Sequence, residues 1–531
     1  MQEVGYALHN AEQGAARSGD NAMKQREVLV AVKNAAANLF RGASVAILTL
    51  VLPPFLTRML PVEVYGAWSL VLQLSAYVSY LDLGLQTAVG RFVAHSTETG
   101  DRPRRDAIVS TALVMLATAA LLAFAGLLIL VGILPMLFRQ MPSSLVSGTR
   151  LAVLLVGASL ALGLPASVLS AVFIGLQRNE VPAIIVAASK FLGATALLLA
   201  AEYSRSLVVM AAIVACTNVV TYAIQYVVYM REASQIRVNP KLASWSAARE
   251  LSSYCLSLAV WTFGMLLVTG LDLTIVAWYD FRSVAYYSVA ASVVTFMNGT
   301  QNALFGALVS PVAVHHARQN ERELGLALLH STRYGMILLL VAAVPLCFAA
   351  KPLLTLWVGA SYAQPATPLL VVLVVATVVR LSTTPFSAIL IGTGQQKLVI
   401  LTPLAEGIVN LVASLVAGRY FGALGVAFGT LVGSLVCLLG HLFYNMPRTA
   451  GIRFTRAAYV RDGLLRPLLT SLPAILTCAM APLVSRPAQI AVWVLAMTEL
   501  VGFNWAYGLT EGDRSFIGHT VRRTLQIRFQ A

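Results

Sequence analysis

The sequence predicts an all-α polytopic membrane protein of about 14 transmembrane helices, and three observations support this. Of the 531 residues, 58% are hydrophobic and only 11% are charged, with a mean hydropathy of +0.78. That composition lies outside the range of soluble domains. The apolar residues form continuous runs of about 20, long enough to cross a bilayer as helices, and not the alternating segments of about 10 that form outer-membrane barrels. Basic residues gather in alternate loops, as in membrane proteins of defined orientation.

Fourteen apolar runs, bounded by charged residues, proline or glycine, define the predicted spans. In chain order they cover residues 38–59, 64–90, 107–132, 151–175, 182–201, 206–229, 252–278, 284–312, 326–348, 366–391, 398–417, 422–445, 466–484 and 488–508. An even number of crossings places both termini on one side. Of the 37 basic residues, 27 fall in loops of that side and eight in loops of the other, and the last two, Lys190 and Arg380, lie within spans. Both termini are therefore predicted to be cytoplasmic.

The net charge of +15 follows from these basic loops, which would face anionic headgroups, so no nucleic-acid partner is expected. The five cysteines all lie within apolar runs, without paired spacing, and predict neither a disulfide nor a metal site. The sequence contains no glycine-rich phosphate loop followed by lysine and no soluble segment large enough for a transferase site. The chain is therefore predicted not to be an enzyme and to need no cofactor, with H⁺ or Na⁺ as a candidate coupling ion.

Two short segments each have a similar segment six spans later, and we call each such pair a sequence echo. SAVFIGLQRNE at 170–180 matches SAILIGTGQQK at 387–397, an offset of 217, and Ala-Trp-Ser at 67–69 matches Tyr-Tyr-Ser at 286–288, an offset of 219. A repeat of six spans returns to the same membrane side, so the halves are parallel repeats with a substrate path between them. The predicted organisation is a polar cytoplasmic tail (1–35), an N-terminal six-helix bundle (36–230), a cytoplasmic linker (231–250), a C-terminal six-helix bundle (251–447), an extra helix pair (448–510) and a basic cytoplasmic tail (511–531).

A resemblance to a known family rests on short motifs. Thr57-Arg58-x-Leu60, Tyr65-Gly66 and Asp82-Leu83-Gly84-Leu85 before Arg91, with glycine-containing polar turns after spans 4 and 10, resemble the Wzx-type polysaccharide flippases. These belong to the multidrug/oligosaccharidyl-lipid/polysaccharide exporter superfamily, and the resemblance covers residues 35–445.

The resemblance implies a bacterial inner-membrane protein that moves undecaprenyl-diphosphate-linked oligosaccharide between leaflets by alternating access. Its pathway would be the synthesis of O-antigen, capsule or exopolysaccharide. It also implies a polysaccharide polymerase and a chain-length regulator as candidate partners.

Charged residues inside spans are the candidate site residues, since each costs roughly 2.5 to 3.5 kcal/mol at a helix centre. Lys190 in span 5 and Arg380 in span 10 are candidates to bind the diphosphate, with Arg41 extending the same surface. For Lys190 and Arg380 the alternative is an ion pair with a buried acid, and for Arg41 a position at the lipid headgroups. Gln73 and Gln301 are candidates to line a wet cavity that binds sugars.

Three carboxylates inside spans, Asp82, Asp272 and Glu406, are candidates for ion coupling. A buried carboxylate can take up a proton or coordinate sodium together with hydroxyl groups. The alternative is that each only neutralises Lys190 or Arg380.

Three other functions fit parts of the pattern. A lipid-linked peptidoglycan precursor flippase would share the same architecture. A cation-coupled multidrug exporter would have a cavity dominated by acids and aromatic rings. A membrane-embedded glycosyltransferase or polymerase would need a large periplasmic loop, and none of the predicted loops is long.

Overall fold

The computed structural model describes residues 47–515 except 396, 397 and 399, and no strand occurs in that part of the chain. Ten helices among the described residues are long and apolar enough to cross a membrane. The predicted class, an all-helical multi-pass membrane protein, is confirmed. The tails at 1–35 and 516–531, and Arg41, lie outside the described residues.

The helices follow one another with short connections. The N-half consists of α1 (Ile47–Met59), α2 (Val62–Ala76), α3 (Leu85–Glu98), α4 (Arg102–Leu137), α5 (Ser143–Gly175), α6 (Glu180–Tyr203) and α7 (Leu207–Glu232). The C-half consists of α8 (Trp245–Met265), α9 (Asp272–Tyr279), α10 (Ser283–Gly306), α11 (Val309–Ala317), α12 (Glu321–Phe348), α13 (Ala350–Val358), α14 (Ala360–Leu381), α15 (Thr384–Gly392) and α16 (Leu401–Leu439). The extra pair consists of α18 (Arg466–Met480) and α19 (Arg486–Phe503), and the short α17 (Arg456–Ala458) precedes it.

Several predicted spans contain breaks. Span 2 is α2, a 3₁₀ turn (Tyr77–Asp82) and α3, joined at Leu83 and Gly84, whose φ angles are 49° and 82°. Span 7 is α8, a π-helical turn (Leu266–Gly270) and α9. In a membrane such breaks persist only where neighbouring groups satisfy the backbone.

The longest helix, α16, is a hairpin of two arms. Gly422, with φ 56° and ψ −135°, reverses the chain. A Cβ on Gly429 would lie 2.5 Å from the Ser414 nitrogen, and one on Gly433 would lie 2.8 Å from the Asn410 Cβ, so the arms pack antiparallel through glycine. The arms match predicted spans 11 and 12. The total of fourteen crossings and the cytoplasmic position of both termini stay predictions.

The first sequence echo has the same packing in both halves. A Cβ on Gly175 would lie 2.6 Å from Val93 Cβ, and one on Gly392 would lie 2.6 Å from Val312 Cγ1. After each glycine the chain turns through a residue of positive φ, Gln177 at 59° and Gly394 at 73°. The glycine therefore permits the same close helix contact twice.

The second echo lies where the halves meet. The Ser69 hydroxyl donates to the hydroxyl of Ser288, its counterpart at the 219 offset, at 3.0 Å. One turn away, a Cβ on Gly66 would lie 3.3 Å from the backbone nitrogen of Ala285, again its counterpart. Related residues touch each other only at a two-fold axis, so α2 and α10 cross at the pseudo-symmetry axis of the repeats.

Candidate functional site

A cavity of about 920 Å³ lies between the halves. The N-half contributes α1, α2, α6 and α7 to its wall, and the C-half contributes mainly α9 and α10. Polar and charged side chains that line it include Gln73, Lys190, Asn218, Thr221, Gln225, Asp272, Tyr287, Asn298 and Thr430. Within the described part of the chain, the cavity wall thus carries one cation and one carboxylate besides many hydroxyl and amide groups.

Lys190 is the cation of this cavity. It lies on α6 and is exposed to the cavity, one turn before Gly193, whose missing side chain leaves room for Thr217 of α7. In the described ranges no acid pairs with Lys190 and no hydrogen bond satisfies its ammonium group. Because an unpaired cation inside a membrane is costly, this lysine is suited to meet an anion that enters the cavity.

Arg380 does not line the cavity. Its Nε donates to Oε1 of Glu406 at 2.6 Å, and its Nη2 contacts Met265 Sδ at 3.5 Å. Glu406 is 2% exposed, and the Arg380 side chain is 20% exposed. Of the two readings that the sequence left open for this arginine, the structure shows the ion pair, and it places Lys190 and Arg380 in different surroundings.

Asp272 joins three helices at the cavity wall. It is 9% exposed, begins α9, and accepts hydrogen bonds from the hydroxyls of Tyr287 and Thr430, each at 3.1 Å. Asn410 on the first arm of α16 donates to the carbonyl of Val268 at 2.7 Å, which holds the adjacent π-helical turn. The carboxylate is thus surrounded by oxygen donors suited to a proton or a hard cation.

Gln73 lines the cavity and also connects the halves. Its Nε2 donates to the carbonyl of Gly270 at 2.6 Å, and the Tyr77 hydroxyl donates to the same carbonyl at 2.7 Å. Gly270 ends the π-helical turn, where the regular helical hydrogen bonds are interrupted. The break in span 7 is therefore satisfied by side chains of α2 and of the turn that follows it.

Of the described residues, Gln301 and Asp82 do not line the cavity. Gln301 is 2% exposed, and its Nε2 makes a long hydrogen bond of 3.4 Å to the carbonyl of Gly335. Asp82 ends the 3₁₀ turn after α2, and its Oδ1 is buried without a hydrogen bond within the described residues. Arg41 lies outside the part of the chain that the structure describes. Among the described members of the predicted set, the cavity brings together Lys190, Gln73 and Asp272.

Sequence reasoning missed the polar face of α7. Thr217, Asn218, Thr221, Tyr222 and Gln225 line the cavity. They recur at intervals of three to four residues, which places them on one side of a helix. That periodicity inside an apolar span was the signal that could have revealed them. Among the described residues no group of three or more His, Cys, Asp or Glu could hold a metal ion.

A family model of polysaccharide biosynthesis proteins matches residues 31–316, more than half of the chain. The chain belongs to the polysaccharide biosynthesis protein family. The family resemblance seen in the sequence is thereby confirmed, and the ten apolar helices agree with a multi-pass membrane protein.

Relatives of this polysaccharide biosynthesis protein cover nearly its whole length. The uncharacterized membrane protein EpsK of Bacillus subtilis (strain 168) is 23% identical over 504 residues, 92% of this chain and 98% of EpsK. The structure of the lipid II flippase MurJ in an inward closed conformation matches with a TM-score of 0.62 at 12% identity, over 90% of this chain and 99% of MurJ.

An inward-facing multidrug resistance MATE family transporter of the MOP superfamily also matches. Its TM-score is 0.60 at 16% identity, over 76% of this chain and 98% of the transporter. At these identities the solved structures show that the fold is shared.

Proposed function

We propose that this protein is a flippase for undecaprenyl-diphosphate-linked oligosaccharide in the inner membrane. Lys190, which has no acidic partner among the described residues and lies in a polar cavity between the two halves, carries the proposal. A diphosphate needs fixed positive charge away from bulk water, and Lys190 supplies it there. The amide and hydroxyl groups of α7 and α10 would hydrogen-bond the sugars, while the lipid tail stays in the bilayer.

The proposed cycle is alternating access. The halves, related by the axis at Ser69 and Ser288, would rock about the cavity and expose it first to the cytoplasmic and then to the periplasmic leaflet. The proposal includes fourteen crossings, cytoplasmic termini and transport without catalysis of a chemical reaction. The product would pass to a polymerase and a chain-length regulator in the synthesis of O-antigen, capsule or exopolysaccharide.

The direct test is translocation of a labelled undecaprenyl-diphosphate oligosaccharide in reconstituted vesicles. Lys190→Gln should reduce the rate at least about ten-fold, since one charge-assisted contact contributes roughly 1.5 to 3 kcal/mol. Lys351→Gln, which changes an exposed lysine of α13, is the matched control and should transport as the wild type does. Wild-type protein that moves no lipid-linked sugar would refute the proposal.

Asp272 is the proposed coupling residue, since it alone among the three candidate acids lines the cavity in the described part of the chain. Asp272→Asn keeps the size of the side chain but removes its charge. We expect the variant to lose the rate increase that a proton or sodium gradient produces. Its transport rate in the absence of a gradient should stay the same as that of the wild type. Glu499→Gln, which changes another acid inside a span, bonded to Thr477, is the control. An unchanged gradient response in Asp272→Asn would exclude this role.

Two further functions remain candidates because specific observations favour them. The fold shared with MurJ favours a lipid-linked peptidoglycan precursor as substrate, and substrate-specific complementation separates this reading from the first. Asp272 at the cavity wall favours a cation-coupled multidrug exporter. That reading predicts export of cationic dyes, with activity that depends on Asp272 and not on Lys190.

A further inference from the structure

A second cavity, of about 690 Å³, lies on the arginine-rich side, between the end of α16 and the beginning of α17. Its apolar wall consists of Leu442, Phe443, Met446, Ile452, Phe454 and Val460. The remaining wall includes Arg456, Ala457 and two threonines. It shares no lining residue with the central cavity.

The apolar wall continues along the outside of α16. Leu435, Leu439 and Phe443 are 43%, 50% and 67% exposed and follow one another at intervals of four residues. They therefore form a stripe on one helix face that leads from the cavity into the depth of the predicted span. The stripe covers roughly 12 Å along the helix, at about 1.5 Å per residue, and gives an acyl chain an apolar surface to lie on.

The opposite end of the cavity is cationic. Arg456 lines it, and neither Arg456 nor the nearby Arg453 forms an ion pair in the described ranges; both are exposed. The Arg448 side chain lies against Tyr444. It donates to the Tyr444 carbonyl at 2.8 Å, and its guanidinium carbon is 3.7 Å from the centroid of the Tyr444 ring. No carboxylate of the described residues lines the cavity. Basic pockets between spans on this side of a membrane suit anionic lipid headgroups.

We propose that this cavity binds an anionic phospholipid, with its phosphate on Arg456 and an acyl chain along Leu435, Leu439 and Phe443. Charge and depth both favour this occupant: the cations lie at the membrane surface that carries most of the basic loops, and the apolar stripe begins directly beside them. The lipid would fill the space between the second arm of α16 and the extra pair. This site is independent of the proposed transport substrate.

The test is retention of phosphatidylglycerol by the full-length protein in native mass spectrometry, compared with phosphatidylcholine of the same chains. The wild type should retain phosphatidylglycerol preferentially. Arg456→Gln should weaken that retention about five-fold, since one arginine near an anionic headgroup contributes about that factor. Ala457→Phe fills the cavity but keeps the charge, and should weaken retention similarly.

Arg419→Gln is the matched control, because Arg419 is an exposed arginine of α16 on the opposite predicted side. It should retain phosphatidylglycerol as the wild type does. Equal retention of both lipids by the wild type would overturn the proposal. So would equal losses in Arg456→Gln and Arg419→Gln, or retention of undecaprenyl diphosphate in place of phosphatidylglycerol through Arg456.

Discussion

At the scale of single residues, the decisive feature is which charges have partners. Lys190 and Glu406 occupy nearly equivalent places in the two repeats, yet Lys190 faces a cavity and Glu406 pairs with Arg380 at 2.6 Å. An ion pair inside a span contributes structure, while an unpaired cation can bind a ligand. Substitutions of Lys190 and of Arg380 are therefore expected to have different effects.

The Arg380–Glu406 pair should behave as a structural contact. Glu406→Gln leaves the arginine unpaired and should destabilise the protein by about 3 to 5 kcal/mol. The double variant Arg380→Met/Glu406→Leu removes both charges and should be markedly more stable than the single one. Thermal unfolding in detergent measures this, with the exposed Arg419→Gln as the control. A well-folded double variant that transports no lipid-linked sugar would show instead that Arg380 acts on the substrate.

A second buried cluster, at the end of the described chain, predicts a pH response. Burial raises the pKa of Asp513, but hydrogen bonds from Thr510 and Tyr334 and the charge of Arg333 outweigh it and lower that pKa to about 2. The ordinary value is 3.8. Because the folded-state pKa is the lower one, the stabilisation is complete above about pH 5 and is lost as the pH falls towards 2.

Asp513→Asn should remove that pH dependence. The wild type should hold residues 510–515 against α12 at pH 6 and release them progressively below pH 4, as proteolysis of this segment can measure with an acid-stable protease. Glu511→Gln, at an exposed neighbouring acid, should leave the wild-type profile unchanged. An identical profile in Asp513→Asn and the wild type would contradict this assignment.

At the scale of elements, glycine determines how closely the helices pack. Gly175 and Gly392 each approach a valine of a neighbouring helix so closely that a Cβ would clash, and Gly422 allows α16 to reverse. Small residues at such contacts let membrane helices approach without an apolar driving force. The two halves therefore share the same helix packing, although their sequences have little identity.

Gly392→Ala should destabilise the protein by about 1 to 3 kcal/mol, because its Cβ would lie 2.6 Å from Val312 Cγ1 and 2.9 Å from the carbonyl oxygen of Val309. The matched control is Gly132→Ala in α4, where a Cβ would meet nothing within 4 Å. That change should be neutral or slightly stabilising, since alanine favours a helix over glycine by about 1 kcal/mol. Thermal unfolding of both variants measures the difference, and equal stabilities would disprove the packing argument.

At the scale of the whole molecule, the halves touch at one outer edge through α1 and α13. The Thr57 hydroxyl donates to the carbonyl of Val358 at 3.3 Å, and Arg58 donates to the carbonyl of Leu356 at 3.1 Å. The Trp357 ring nitrogen donates back to the carbonyl of Leu50 at 3.1 Å. In the proposed cycle, opening the cavity on this side would separate α1 from α13.

A disulfide across this contact should therefore block transport. In a background without the five native cysteines, oxidation of Thr57→Cys/Val358→Cys should reduce translocation at least about ten-fold, and reduction should restore it. The control is Thr477→Cys/Glu499→Cys, which joins α18 and α19 within the extra pair. Full transport with the first disulfide intact would show that α1 and α13 do not separate during the cycle.

The sequence by itself determined the membrane class and the family, and it predicted the repeat with its offsets of 217 and 219. These follow from composition, from run length and from local motifs, which the chain carries without reference to its folding. It also singled out Lys190, Gln73 and Asp272, because a polar side chain inside an apolar span is conspicuous in any arrangement of the helices.

Only the tertiary structure decided which of the polar residues meet. Arg380 and Glu406 lie on neighbouring helices and pair, Gln301 turns into the C-half, and the polar face of α7 forms the cavity wall with Lys190. Partner choice depends on helix rotation and on the distance between helices, which small residues such as Gly193 and Gly392 adjust by a few ångströms. The sequence gives a charge and its position along a membrane span. Helix packing determines whether that charge faces an acid or an open cavity.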